Sequence, residues 1–175
     1  PPGLPTGLAP WDNTVADLLK DAGYDTGMFG KWHLGNRPGR HPIDQGFDEW
    51  YGIQDSTAPS MYADLLGYEA DKMETPWIWE GRAGEPAQAL EQYTQTNRAT
   101  IDAEITDRTV AYIHAHAGDD NPFFCYVPFA LVHHPCIPHP DFEGVSGNGA
   151  YADAMIEVDH RAGQVLDAID DAGIT

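Results

Sequence analysis

The sequence predicts an α/β fold with a mainly parallel β-sheet and helices on both faces, a three-layer α/β/α arrangement. Amphipathic helical patterns alternate with short apolar runs, in the order helix, strand, excursion, helix, strand, helix. The apolar run at residues 123–127 is unbroken, which is typical of a strand covered on both faces. The 175 residues are enough for one domain with a sizeable core.

The first predicted helix precedes the first predicted strand. Asp12 or Asn13 can cap this helix, and Gly23 stands where it ends. Apolar residues at helical spacing give it one face that we expect to be buried: Val15, Leu18, Leu19 and Ala22. A short strand is expected at residues 24–29, and the Pro- and Gly-rich residues 1–10 are expected to form a loop.

The middle of the chain, residues 38–96, has no long period and is dense in Gly, Pro and aromatic residues. We therefore expect an irregular excursion with short elements. Trp77 and Trp79 alternate around one residue and could stack on a sugar, but we interpret them as packed side chains because large aromatics dominate burial.

Two more helices are predicted, at residues 101–117 and 151–172. The first has an apolar stripe of Ile101, Ile105, Tyr112 and Ile113. The second has a stripe of Met155, Val158, Ala162, Val165 and Ile169. Gly118 and Gly173 follow as stop signals.

The charge is strongly negative, with 28 acidic against nine basic residues and a net charge of −19. Such a field repels nucleic acid and anionic membranes, so neither is an expected partner. An acidic surface of this kind also suits a protein that works in salt. There is no apolar run long enough to span a membrane. The two cysteines, Cys125 and Cys136, are not expected to form a disulfide.

The first cluster of candidate site residues, Gly30-Lys31-Trp32-His33-Leu34-Gly35, follows the first predicted strand. Open α/β sheets bind ligands at the carboxyl ends of their strands. If the backbone stays extended, Lys31 and His33 point to one side, and Trp32 and Leu34 point into the core. A lysine can hold a tetrahedral oxyanion and a histidine can move a proton near neutral pH. On spacing alone, a surface lysine and a core histidine are an equal alternative.

The second cluster, His133-His134-Pro135, follows the second predicted strand. Loops after neighbouring parallel strands can share one cleft, so this cluster is expected near the first. A zinc site is disfavoured, because adjacent histidines usually diverge and no Cys/His spacing here matches a zinc pattern.

These clusters belong to longer segments that resemble the sulfatase family, of the alkaline-phosphatase-like superfamily. Residues 23–35, with Gly-Tyr-x-Thr followed by Gly-Lys-Trp-His-Leu-Gly, look like the family's second signature. Residues 46–52 resemble the turn after it. Residues 123–135 resemble the strand and substrate-histidine loop, and residues 151–166 the helix before the late metal strand. The four segments occur in the family order over nearly the whole chain.

The resemblance implies that residues 1–175 are part of a single sulfatase catalytic domain, truncated at both ends, and that the fragment alone is inactive. A sulfatase hydrolyses sulfate esters with a formylglycine nucleophile and a divalent cation, usually calcium. By position, Lys31 would contact the sulfate and the formylglycine. His33 would form a hydrogen bond with the hydrated formylglycine and take its proton during elimination. His133 would contact the sulfate near the leaving oxygen, and His134 would line the cleft.

The chain also departs from the family pattern. It has no Cys/Ser-x-Pro-x-Arg motif for formylglycine, and the run that begins at Cys136 only starts like one. The family's acidic metal ligands would lie outside residues 1–175, so we expect no metal ligand here. The expected substrate is a small-molecule or carbohydrate sulfate ester. The resemblance favours a periplasmic, secreted or lysosomal compartment. Alternatives are a phosphonate monoester or phosphodiester hydrolase of the same superfamily, and a non-catalytic homologue that binds sulfated sugar.

Overall fold

A five-stranded open sheet forms the centre of the computed structural model, which describes residues 7–55, 62–69, 71 and 74–174. The strands are β1 (Asp25–Lys31), β2 (Glu49–Ile53), β3 (Trp77–Arg82), β4 (Gln88–Gln92) and β5 (Phe123–Tyr126). The helices are α1 (Val15–Asp21), α2 (Gln95–Arg98), α3 (Ile101–His116) and α4 (Ala150–Asp171). Residues 1–6 of the expected N-terminal loop lie outside the described residues.

The strand order is β4-β3-β2-β1-β5. The central strand β1 pairs in parallel with β2 and β5, whereas β3 and β4 are added as antiparallel neighbours. The sheet is therefore mixed rather than mainly parallel. The described part of residues 38–96 contains short elements, as expected, but it is not an irregular excursion, because it supplies three of the five strands of the sheet. Strand β2 lies in the segment that resembled a turn. It is short and contains Gly52, so the alternation of apolar and polar residues typical of a strand is not visible in the sequence.

Alternate residues of the sheet bury two cores, one on each face. Phe29 packs with Ile101 and Ile105 of α3 on one face, whereas Met28 packs with Ala16 of α1 and Trp50 on the other. Because successive side chains of β1 point to opposite faces of the sheet, this strand contributes to both cores. Helix α4 packs on α3, outside the first core. The arrangement of helices on both faces of the sheet is the one predicted.

Helix α1 does not bury the predicted face. Val15 and Leu18 are 59% and 62% exposed, and the buried residue is Ala16. Thr14, rather than Asp12 or Asn13, caps the helix through a hydrogen bond with Asp17. The backbone of α1 passes directly over Gly46, where a Cβ would lie 2.2 Å from Asp17 N.

The buried stripe of α4 also differs from the predicted one. Met155 is 46% exposed, while Glu157 and Arg161 lie among the buried residues. They form an ion pair at 3.4 Å against the inner part of the protein. A stripe that contains two charges cannot be found by searching for apolar periodicity. The stripe predicted for α3 is confirmed, since all four of its apolar residues are buried.

Candidate functional site

Lys31 is the last residue of β1 and lies at the carboxyl edge of the sheet, half-buried. Its backbone N–H donates to Pro128 O at 2.9 Å, which ties the end of β1 to the segment that leaves β5. Gly30 makes this contact sterically feasible. It has φ +140°, and a Cβ at this position would lie 2.1 Å from Pro128 O.

His33 lies just beyond the strand, with φ +61°, and its side chain is exposed. Its backbone N–H donates to Gln54 O at 2.7 Å, directly after β2. The backbone therefore does not stay extended here, as the prediction assumed. Trp32 is buried as predicted. Leu34 is 44% exposed, so the prediction that its side chain points into the core was wrong.

His133 lies in the loop after β5, on the edge where β1 and β5 end side by side as parallel strands. Its backbone N–H donates to Ala130 O at 3.2 Å, and its ring Nδ1 is 2.6 Å from His134 O. Both His133 and His134 are exposed. The two predicted clusters therefore occupy one edge of the sheet, although they are about 100 residues apart in sequence.

A buried ion pair organises this loop, and the sequence reasoning missed it. Arg98, at the end of α2, contacts Asp102 in the first turn of α3 at 3.3 Å, and both side chains are almost fully buried. Asp102 accepts the backbone N–H groups of Ala130 and Leu131 at 2.7 and 3.0 Å. Arg98 donates to the carbonyls of Ala130 and His133 at 3.3 and 3.4 Å. The Arg98–Asp102 pair thus holds the backbone of the loop that carries His133.

A second buried carboxylate holds the far end of the same loop. Glu157 of α4 accepts the backbone N–H of His139 at 2.7 Å while it pairs with Arg161. In sequence, pairs at i and i+4 such as 98/102 and 157/161 are typical of solvated helix faces. Only their burial distinguishes them, so no local signal could have revealed them.

The positive charges of this edge influence one another. Partial burial, followed by the neighbouring Arg98 charge, lowers the pKa of Lys31, and Asp55 partly opposes this shift. Lys31 therefore lies within electrostatic range of the arginine that bonds to the His133 loop. The Arg98 guanidinium is already paired with the Asp102 carboxylate, so the charge that this edge offers to an oxyanion is the Lys31 ammonium, in a protein of net charge −19.

The lysine and imidazole side chains of this edge do not suit calcium, which prefers six to eight oxygen ligands. The described candidate residues at this edge are a lysine and imidazoles, with Asp55 as the neighbouring carboxylate. Among the residues that the structure describes, one group of side chains is close enough to hold an ion, namely Asp25, His116 and Asp119. It lies at the opposite edge, where β1 begins. The described candidate residues at the carboxyl edge of the sheet therefore fit an anion better than a calcium ion.

Both cysteines are free thiols, as expected. Cys136 Sγ donates to Val132 O at 3.3 Å, within the histidine loop. Burial raises the pKa of the Cys125 thiol to about 12, so this group is not a nucleophile near neutral pH. No helix among the described residues has the length and apolar character needed to cross a membrane.

The family model described as Sulfatase matches residues 2–175. The chain belongs to the sulfatase family. Among the similar proteins, N-acetylgalactosamine-6-sulfatase of Mus musculus is 31% identical over 97% of this chain and 32% of its own length. Arylsulfatase G of Rattus norvegicus is 29% identical over 94% of this chain and 34% of its own length. The chain thus spans about a third of the length of these sulfatases.

Two solved structures share the fold. The PsFucS1 sulfatase from Pseudoalteromonas sp. superposes with a TM-score of 0.84 and 26% identity, over 98% of this chain and 37% of that chain. Ps i-CgsB, solved in complex with k-i-k-neocarrahexaose, superposes with a TM-score of 0.73 and 21% identity, over 98% of this chain and 39% of that chain. The predicted family and the alkaline-phosphatase-like fold class are therefore confirmed.

Proposed function

We propose that the whole protein is a sulfuric ester hydrolase in which Lys31, His33 and His133 act on the sulfate group. The observation that carries this proposal is the convergence of two loops at one edge of the sheet, joined by the hydrogen bond from the Lys31 backbone N–H to Pro128 O. A lysine and imidazoles at one edge of an acidic protein match the charge of a sulfate ester. Membership of the sulfatase family supports the same reaction.

Each residue has a distinct proposed role. Lys31 places a compact positive charge beside the sulfate oxygens, where negative charge must be stabilised. His33 exchanges a proton with the nucleophile, because a neutral imidazole can accept one near pH 7. His133 contacts the sulfate group near the oxygen of the leaving alcohol. His134 lines the cleft without taking part in the chemistry.

Two groups that the family uses are proposed to come from outside these residues. A formylglycine would supply the oxygen nucleophile, and a divalent cation, usually calcium, would draw charge from the sulfate. Neither can be built from the candidate residues described here, whose donor set fits an anion. Relatives such as N-acetylgalactosamine-6-sulfatase are named for sulfated sugars, so a carbohydrate sulfate is the proposed substrate class.

The test is steady-state kinetics of the full-length protein with an activated aryl sulfate. We expect Lys31→Ala, His33→Ala and His133→Ala each to lower kcat by at least about a hundredfold, the scale for one positioned proton-transfer or oxyanion group. His134→Ala is the matched control and should cost much less. A larger loss in His134→Ala than in His133→Ala would contradict the assignment. Turnover of phosphonate monoesters or phosphodiesters, but of no sulfate ester, would contradict the function.

A further inference from the structure

An open cleft of about 510 Å³ lies beside the candidate site and plays no part in the proposed chemistry. One wall is formed by residues 36–44, and the other by the start of β3 and the β3–β4 turn. A smaller cavity shares Gln54 and Trp77 with this cleft and extends it to Asp55. We refer to the two together as the tryptophan cleft.

The sheet register places the tryptophan cleft at the reactive edge. Strand β3 runs antiparallel to β2 with Ile78 opposite Ile53, so Trp77 lies level with Gln54, just past the carboxyl end of β2. Gln54 O is also the acceptor for the backbone N–H of His33. A group attached to a sulfate held by Lys31 and His33 could therefore extend into this cleft.

The walls of the cleft combine a flat aromatic surface with hydrogen-bonding groups. Trp77 is half-buried, and the indole Nε1 of Trp79 is buried without a hydrogen-bond partner among the described residues. Gln54 Nε2 lies 2.8 Å from His41 Nε2, and Asn36 donates to Glu74 at 3.3 Å. An aromatic face suits the C–H side of a sugar ring, while amides and carboxylates suit its hydroxyl groups.

The charge of the cleft is opposite to that of the sulfate site. Four carboxylates line it, Asp44, Asp55, Glu74 and Glu85, and no Lys or Arg is among the lining residues that the structure describes. Burial lowers the pKa of His41, so this ring adds no positive charge at neutral pH. Arg37 pairs with Glu74 at 3.5 Å, with both side chains more than half exposed, and thus only at the rim.

We propose that the tryptophan cleft binds an uncharged sugar residue linked to the sulfated one, and that its carboxylates reject a neighbour bearing a second sulfate or a carboxylate. The proposal rests on the proposed sulfatase activity for the placement of the sulfated residue. It narrows the substrate class to saccharides whose negative charge is confined to the ester that is cleaved. Rejection follows because a second anion would lie beside like charges.

The test uses the full-length enzyme and three substrates. These are an activated aryl sulfate, a monosulfated disaccharide with an uncharged neighbour, and the same disaccharide with a second sulfate on the neighbour. We expect kcat/KM to favour the uncharged neighbour by at least about tenfold, the result of one unfavourable charge contact. Glu74→Lys should reduce this preference, whereas Asp120→Lys, an exposed site near the other edge of the sheet, should leave it unchanged.

A second pair of variants tests the aromatic wall. Trp77→Ala should lower the ratio of kcat/KM on the uncharged disaccharide to that on aryl sulfate by roughly tenfold, while Trp77→Phe should retain most of it. An unchanged ratio in Trp77→Ala, or a wild-type preference for the doubly sulfated disaccharide, would overturn the proposal.

Failure of the proposed function gives a different result, namely no turnover of any of the three esters. In that case calorimetric titration with the unsulfated disaccharide still decides the role of the cleft. Binding that Trp77→Ala abolishes would support the sugar site, and binding that is absent in the wild type or equal in both proteins would overturn it.

Discussion

Replacement of Asp102 by Asn tests whether the buried ion pair positions the catalytic loop. The carboxylate accepts two backbone N–H groups, from Ala130 and Leu131, and contacts Arg98. An amide of the same size keeps one acceptor oxygen but presents an NH₂ group to the remaining donors. The variant therefore loses a charge-assisted hydrogen bond and leaves Arg98 without its carboxylate.

The expected cost follows from burial. Hydrogen bonds to a charged group are worth about 1.5–3 kcal/mol each, and removal of one partner of a buried pair costs about 3–5 kcal/mol. These figures describe the same lost interactions and are not added. We expect Asp102→Asn to lower the free energy of unfolding by about 3–5 kcal/mol. We also expect kcat to fall at least about tenfold, because the lost contacts hold the loop that carries His133.

The assay is urea unfolding of the full-length protein at pH 7, together with aryl sulfate kinetics where each variant is fully folded. Asp107→Asn is the control, since it makes the same chemical change on an exposed position of α3. A loss in Asp102→Asn below about 1 kcal/mol, the range of an ordinary surface change, would refute the argument from burial. Large destabilisation with unchanged kcat in the folded variant would refute the positioning role and leave a purely structural one.

Two further predictions concern the same edge of the sheet. If Lys31 acts as a cation, activity falls as pH rises through its lowered pKa, and Asp55→Asn removes a charge that raises this pKa. The alkaline limb of the kcat/KM profile should therefore move to lower pH in Asp55→Asn, and an unmoved or raised limb would contradict this. Gly30→Ala should destabilise the protein by about 2 kcal/mol or more, because its Cβ meets Pro128 O at a positive φ. Gly84→Ala, which has a positive φ but open space, should lose only about 1 kcal/mol in the same urea titration, and equal losses would refute the steric argument.

The sequence by itself determined the elements with strong local signals. The stripe of α3 repeats at helical spacing and is buried, and the unbroken run at β5 is a strand beside β1. Lys31 and the histidines 133–134 each follow a predicted parallel strand. Because parallel strands end on the same side of a sheet, this was enough to predict that the two groups lie at one edge of the sheet. The family was also recognisable, since its signature residues are local in sequence.

The tertiary structure decided what depends on burial and on pairing between distant segments. The sequence pattern did not show whether residues 38–96 would pair as strands, because strands of five or six residues carry little period. It also could not separate the buried charges of α3 and α4 from ordinary solvated pairs, since charge at i and i+4 looks the same in both settings. Asp102 and Glu157 hold the histidine loop only because folding brings backbone N–H groups from 28 and 18 residues away within hydrogen-bonding distance. Each buried carboxylate is stabilised by those N–H groups and by an arginine, which is a property of the packed molecule and not of any local segment.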